Sequence, residues 1–251
     1  MTTEIWYVRF MEMKEETFRV RTFDCGADGS IHLFSLMQYL QETAVDHAEE
    51  LGFGFACMSE MNAYWVLSNI RIEVARLPQR DECITIKTWP SGYTRTVATR
   101  EFVGKDSNGG ELFRAGSDWM VLNRKTNKLR NLFRLDLGLP KTDQKVLPGQ
   151  LKRLESHGRY QSIERIRVSY SAIDLNGHVN NTEYVRWGID ALRRGFPFDK
   201  AVRSLQATYL SEVFEGDEID IAVSSDDSGK FHVHGSKPGG DDTVYLMEVI
   251  C

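Results

Sequence analysis

The sequence predicts an α+β protein made of two tandem units, each a long helix wrapped by a curved antiparallel β-sheet. Two observations carry that reading. An order of strand, helix and further strands occurs twice along the chain, and within the strands apolar residues alternate with polar ones, as in antiparallel sheets packed on one face. The composition agrees: 251 residues that are 41% hydrophobic and 27% charged, with 20 Gly and 6 Pro, describe an ordinary globular protein rather than a disordered, collagen-like or disulfide-scaffold chain.

The first strand is Phe18 to Thr22, with Arg19 and Arg21 between its apolar or β-branched positions. A turn at Cys25 to Gly29 follows. Leu33, Leu36, Met37, Leu40, Ala44, Ala48 and Leu51 then recur at helical spacing up to Gly52, giving one broad apolar face. Strands are expected at Trp65 to Val74, Cys83 to Trp89, Val97 to Val103 and Leu112 to Leu122, separated by turns at Pro78, Pro90-Ser91-Gly92 and Ser107 to Gly110. After residue 160 the order restarts with a strand at Arg165 to Tyr170 and a turn at Ile173 to His178. A helix at Asn181 to Arg194 follows, with Asn180 as N-cap and Glu183 completing a capping box. Strands follow at Leu205 to Val213, Glu218 to Val223, Lys230 to His234 and Val244 to Ile250.

Superimposing Asp28 on Asp174 pairs Arg19 with Arg165, Arg21 with Arg167 and His32 with His178, while Asp81 on Asp217 pairs Glu82 with Glu218. An internal duplication is the simplest account. It divides the chain into units at residues 1–122 and 161–251, joined by an aperiodic segment, 123–160, that is long for a linker and is expected to pack across the surface.

The formal net charge of −5 provides no overall basic field for nucleic acid or an anionic membrane. Cys25, Cys57, Cys83 and Cys251 are scattered without metal-site or disulfide spacing, so no metal and no cofactor are expected. The charged N-terminal stretch, Met1 to Glu16, is unlike a signal peptide, and no long apolar run follows. The expected location is the cytoplasm.

The densest polar cluster is Asp174-Leu175-Asn176-Gly177-His178-Val179-Asn180-Asn181. A carboxylate, an amide and an imidazole at alternate positions in a turn that opens a helix could polarise a carbonyl at the positive end of the helix dipole. The same residues equally suit a turn rich in Asn and Gly that only caps the helix.

With Tyr184, this cluster resembles the signature of acyl-acyl carrier protein thioesterases. The first half agrees: Trp65-Val66, Ile70 to Glu73, Pro78 and Ile84 to Trp89 are similar to that family's strand pair. The resemblance spans nearly the whole chain and implies two hot-dog domains, the first holding an acyl chain and the second carrying catalysis. It implies hydrolysis of fatty acyl thioesters on acyl carrier protein, ending fatty acid synthesis. The other readings are a hot-dog thioesterase for coenzyme A esters and a non-catalytic acyl-binding protein. The family places an acidic residue three positions after a strand tyrosine, which matches Tyr209 and Glu212. Plant members follow that position with Cys, once proposed as a nucleophile, whereas this chain has Val213, so water is expected to attack. On this resemblance Asp174, Asn176, His178 and Glu212 are the catalytic set, with Glu212 holding the water, His178 moving protons and Asn176 meeting the oxyanion; direct attack by a carboxylate to form an anhydride is the other route the set allows.

For the acyl chain the resemblance points to the first unit, where Met37, Leu40, Phe53, Phe55, Trp65 and Leu67 are candidate lining residues. The implied partner is acyl carrier protein with its phosphopantetheine-linked acyl chain, with no nucleic acid and no membrane span; a homodimer is compatible with the reading. Between residues 123 and 160, Lys and Arg far outnumber Asp and Glu, and Arg130, Arg134 and Lys141 mark a basic strip suited to an acidic carrier.

Overall fold

The computed structural model describes residues 13–156, 159–197, 201–226, 228–239 and 242–251. Most of the N-terminal stretch read above lies outside them. The chain divides into two compact units, one of residues 1–68 and 74–151, the other of residues 69–73 and 152–251. The division at 151/152 falls inside the connecting segment.

The first unit holds β1 (Lys14–Arg19), α1 (Leu33–Glu50), α2 (Phe55–Glu60), most of β2 (Ala63–Val74), β3 (Cys83–Tyr93), β4 (Ala98–Asp106) and β5 (Glu111–Asn123). Its strands lie in the order β1-β3-β4-β5-β2, with β1, β3, β4 and β5 paired antiparallel in turn. The face of α1 marked by Leu33, Leu36, Met37, Leu40 and Ala44 is buried, as its spacing predicts, and packs on β1 and β3. Ile84 and Ile86 of β3 are fully buried at alternate positions, and Phe102 on β4 and Leu112 and Phe113 on β5 are buried with them. Each such side chain is worth about 1.5–3 kcal/mol on burial.

The second unit contains β6 (Gln161–Arg167), α3 (Asn181–Gly195), β7 (Ser204–Tyr209), β8 (Glu218–Ser225), β9 (Lys230–Ser236) and β10 (Thr243–Ile250). Here Asn69–Glu73 of β2 pairs with β7, and the order continues β7-β10-β9-β8-β6, antiparallel throughout. Tyr184, Val185, Gly188, Ala191 and Leu192 form the buried face of α3, which packs on β6, β8, β9 and β10. Asn180 caps this helix by accepting from the Thr182 N–H at 3.0 Å. Glu183 does not close the expected capping box but pairs with Arg186 at 3.2 Å.

Several element boundaries differ from the sequence reading for identifiable reasons. β1 ends at Arg19 because the chain then enters a single 3-10 turn, Thr22–Asp24, and β6 ends likewise before Tyr170–Ala172. Pro90 lies within β3 rather than in a turn. A register shift between Pro90 and Gly92 absorbs its missing N–H. The six-residue α2 is too short to show a period. β7 stops at Tyr209, because the Leu210 and Ser211 N–H groups both bond to the Val244 carbonyl, at 2.8 and 3.2 Å, and the chain leaves the sheet.

The duplication is real in the backbone, but its register differs from the one read from matching Asp and His residues. The turn bond Asp174 N–H to His178 C=O at 2.8 Å corresponds to Gly26 N–H to Ser30 C=O at 2.9 Å. The bridge Ile173–Val179 corresponds to Cys25–Ile31, and Gly177 at φ 84° to Gly29 at φ 79°. His178 is therefore matched by Ser30, Asn176 by Asp28, and Asn180 by His32, the residue that precedes α1. In the same way Gly216 at φ 84° corresponds to Asp81 at φ 68°, since each donates its N–H to a strand-end valine, Val168 or Val20, at 3.0 Å. The forked amides of Leu210 and Ser211 match those of Ala75 and Arg76 on the Leu112 carbonyl, which puts Leu77 where the second unit has Glu212. The first match slips by two residues, which keeps strand side chains on the same face, and the second by one, so chance identities set the wrong register in both.

A further repeat appears in the sheets. Gly104 on β4 faces Phe113 on β5, and Gly235 on β9 faces Tyr245 on β10. Each aromatic ring lies over its glycine so closely that an added Cβ would fall 2.1 Å from Phe113 Cε1 or 2.0 Å from Tyr245 Cε1.

The connecting segment contains one 3-10 turn, Leu132–Arg134, and is held against the first unit. Leu132 and Leu135 enter a core cluster with Met58, Ala63 and Val121. Trp89 Nε1–H donates to the Gln144 carbonyl at 2.9 Å, and the buried Glu101 carboxylate accepts from the Val146 N–H at 3.1 Å.

Candidate active site

Two loops of the second unit meet at one backbone bond. The Val179 N–H donates to the Val213 carbonyl at 2.9 Å, which ties the turn before α3 to the loop after β7 and puts residue 178 beside residue 212. His178 Nε2 consequently lies 3.8 Å from Glu212 Oε1, both side chains about four-fifths buried. The Phe214 ring stands edge-on to the His178 ring at 5.1 Å between centroids, so the imidazole lies between a carboxylate and an aromatic edge. Nothing in the sequence motif marks Phe214. Only the loop geometry reveals it.

Asp174 occupies the first position of the turn, and its Oδ1 accepts from the Asn176 N–H at 2.8 Å and the His178 N–H at 3.2 Å. These bonds fix the backbone that presents Asn176 and His178. Gly177 at φ 84° permits the left-handed step between them. Asn180 occupies the Thr182 N–H, so that amide is not open to a substrate oxygen.

Beneath the turn, the Tyr184 ring contacts Trp187, Tyr209 and Tyr245 edge to face at 5.0–5.6 Å. The Tyr209 hydroxyl donates to the Asn181 carbonyl at 3.0 Å, joining the end of β7 to the start of α3. Burial, with Asp174, Glu212 and Asp217 nearby, keeps the Tyr184 phenol protonated well above its ordinary range. All four cysteines are free, and none lies at a motif position. Among the described residues no group of three His, Cys, Asp or Glu is arranged to hold a metal ion, and no helix is long and apolar enough to cross a membrane.

The first unit contains a partly open pocket. Phe53 and Trp65 of the candidate acyl-binding residues line it, together with Ala44, Pro90, Trp119, Leu139 and other groups. Met37, Leu40 and Leu67 are buried in the core and are not in its lining, and Phe55 is half-exposed. Of the basic-strip residues, Arg134 and Lys141 are exposed and Arg130 is part-buried, with Lys141 3.5 Å from Asp143.

Residues 12–134 match the acyl-ACP thioesterase N-terminal domain family, and residues 155–239 match the acyl-ACP thioesterase C-terminal domain family. Among curated relatives, the chain is 26% identical over 211 residues to a chloroplastic palmitoyl-acyl carrier protein thioesterase of Arabidopsis thaliana, covering 78% of this chain and 51% of that protein. It is 25% identical over 231 residues to oleoyl-acyl carrier protein thioesterase 1 of the same plant, covering 84% and 63%. The chain thus spans roughly half to three-fifths of the length of these relatives. The crystal structure of an acyl-ACP thioesterase from Bacteroides thetaiotaomicron superimposes with a TM-score of 0.78 at 27% identity, covering 95% of this chain and 97% of that one. The 12:0-ACP thioesterase of Umbellularia californica superimposes with a TM-score of 0.82 at 21% identity, covering 95% and 96%, which establishes likeness of fold.

Proposed function

From the chain's membership of the acyl-ACP thioesterase family, a double hot-dog fold, we propose that it hydrolyses the thioester of a fatty acyl chain carried on acyl carrier protein. The observation that carries the proposal is the approach of His178 Nε2 to Glu212 Oε1 at 3.8 Å, beside a turn that presents Asn176.

In this reading Glu212 accepts a proton from water as the water oxygen attacks the thioester carbonyl. The negative charge that develops on the carbonyl oxygen is met by the Asn176 side-chain amide. When the carbon–sulfur bond breaks, His178 takes that proton from Glu212 and passes it to the departing thiolate, leaving free acid, carrier thiol and both side chains as they began. Asp174 acts through the backbone it fixes, as a positioning residue. The first unit offers Ser30 and Leu77 in place of His178 and Glu212, which supports one reaction centre per chain, in the second unit. The apolar pocket of the first unit receives the acyl chain, and Arg130, Arg134 and Lys141 meet the acidic carrier.

Hydrolysis of matched acyl-ACP and acyl-CoA esters, compared as kcat/KM, tests the substrate class; faster turnover of the CoA esters would reject the carrier-protein reading. Glu212→Ala should lower kcat at least 100-fold with little change in KM or melting temperature. A folded variant with near-normal turnover would remove Glu212 from the reaction.

A further inference from the structure

The lining of the first unit's pocket is mostly apolar; Thr99, whose hydroxyl bonds to Ser91 Oγ and the Gly92 carbonyl, and Arg100 on β4 are its polar side chains, and Arg100 alone is charged. Its side chain is buried, with the residue only 7% exposed, yet among the described residues it has no carboxylate within ion-pair distance. Burial alone pulls its pKa down, to about 10, so it remains a cation at neutral pH. Its hydrogen bonds go to His47 Nδ1 at 3.0 Å and to Thr88 Oγ1 at 3.3 Å, and both come from Nη1. A guanidinium only donates, so His47 must accept at Nδ1 and carry its proton on Nε2. The Thr88 hydroxyl donates onward to the Glu101 carbonyl at 2.9 Å, which leaves its oxygen free to accept from Arg100. These contacts hold the guanidinium in a fixed position and leave Nε and Nη2 unspent. A buried, uncompensated cation is costly, and an apolar side chain of similar volume would fill this position at less cost if only packing were required.

We propose that the pocket selects acyl chains that carry an oxygen acceptor, a hydroxyl, oxo or carboxylate group, which Arg100 binds through Nε and Nη2. The inference rests on the reading that this pocket receives the acyl chain. His47 and Thr88 orient the guanidinium, and the apolar walls formed by Phe53, Trp65, Trp119 and Leu139 hold the methylenes on either side of the oxygen.

The test is direct binding, separate from turnover. Alkyl pantetheine thioethers, which cannot be hydrolysed, are titrated calorimetrically at C8, C12 and C16 as the plain, mid-chain hydroxy, ω-hydroxy and ω-carboxy forms. At least one oxygenated form should bind about tenfold or more tighter than the plain chain of equal length. Arg100→Met should abolish that preference, so that plain and oxygenated chains of equal length bind alike. Comparing the hydroxy and carboxy forms in low and high salt tells a neutral acceptor from an anionic one. Equal binding of plain and oxygenated chains by the wild type overturns the proposal. So does an Arg100→Met variant that only gains affinity for longer plain chains, which would make Arg100 a length stop. Should Arg100→Met fail to fold, His47→Leu frees the guanidinium from its support and should blunt the same preference. Plain acyl-ACP hydrolysis assayed in parallel separates the two ideas: turnover without an oxygen preference sinks only this inference, whereas an Arg100-dependent preference without turnover sinks only the hydrolase reading.

Discussion

Glu212 and His178 belong to no helix or strand, and their two loops are tied by the bond from the Val179 N–H to the Val213 carbonyl. Asp174 Oδ1 accepts from two backbone N–H groups, and the proposed role is that of an acceptor that fixes the turn. An amide oxygen can accept the same bonds. Asp174→Asn should therefore keep kcat within about tenfold of wild type, whereas Asp174→Ala should lose about 1–3 kcal/mol of stability together with most of its turnover. A thermal melt and a steady-state assay of both variants decide the matter, and an Asn variant as inactive as the Ala variant would make the charge itself essential. At this scale the motif was legible because Asp, Asn and His occur at alternate positions of one short segment. Phe214 and the Arg100–His47 pair were not. Arg100 is a charged residue at a buried strand position, and His47 meets it from a helix 53 residues away in sequence, so no local pattern in the sequence connects them.

Long amphipathic elements were legible for the opposite reason, since α1 and α3 repeat their apolar residues often enough for the period to show. The short α2 and the interruption at Pro90 lack that repetition. The cross-strand pairs Gly104–Phe113 and Gly235–Tyr245 were equally hidden, because pairing depends on register and not on either residue alone. Each ring covers a glycine that has no room for a methyl group. Gly235→Ala should cost about 1–3 kcal/mol by overpacking, read as a lower urea midpoint at unchanged m. Combining it with Tyr245→Leu should recover part of the loss, since the two residues are in contact and their effects should not add. Strict additivity in that double-mutant cycle would argue that the ring and the glycine are not coupled.

For the molecule as a whole, the connecting segment combines two properties: apolar residues such as Leu132 and Leu135 anchor it, while Arg134 and Lys141 remain exposed. A negatively charged protein can still attract an acidic partner if its cations are gathered locally. Changing Arg130, Arg134 and Lys141 to Glu should raise KM for acyl-ACP at low salt and do so less at high salt, because ions at about 0.15 M screen charges beyond roughly 8 Å. Hydrolysis of a small acyl thioester should hardly change. If both substrates suffered equally, or neither did, carrier docking would lie elsewhere.

The forked amides, the bridge before the helix and the left-handed glycine are present in both halves, whereas the His178 and Glu212 side chains have Ser30 and Leu77 as their counterparts. The bend is set by backbone bonds and a left-handed glycine, and these do not depend on which side chains the turn carries. One shape can therefore present an imidazole and a carboxylate in one unit, and a hydroxyl and an apolar side chain in the other.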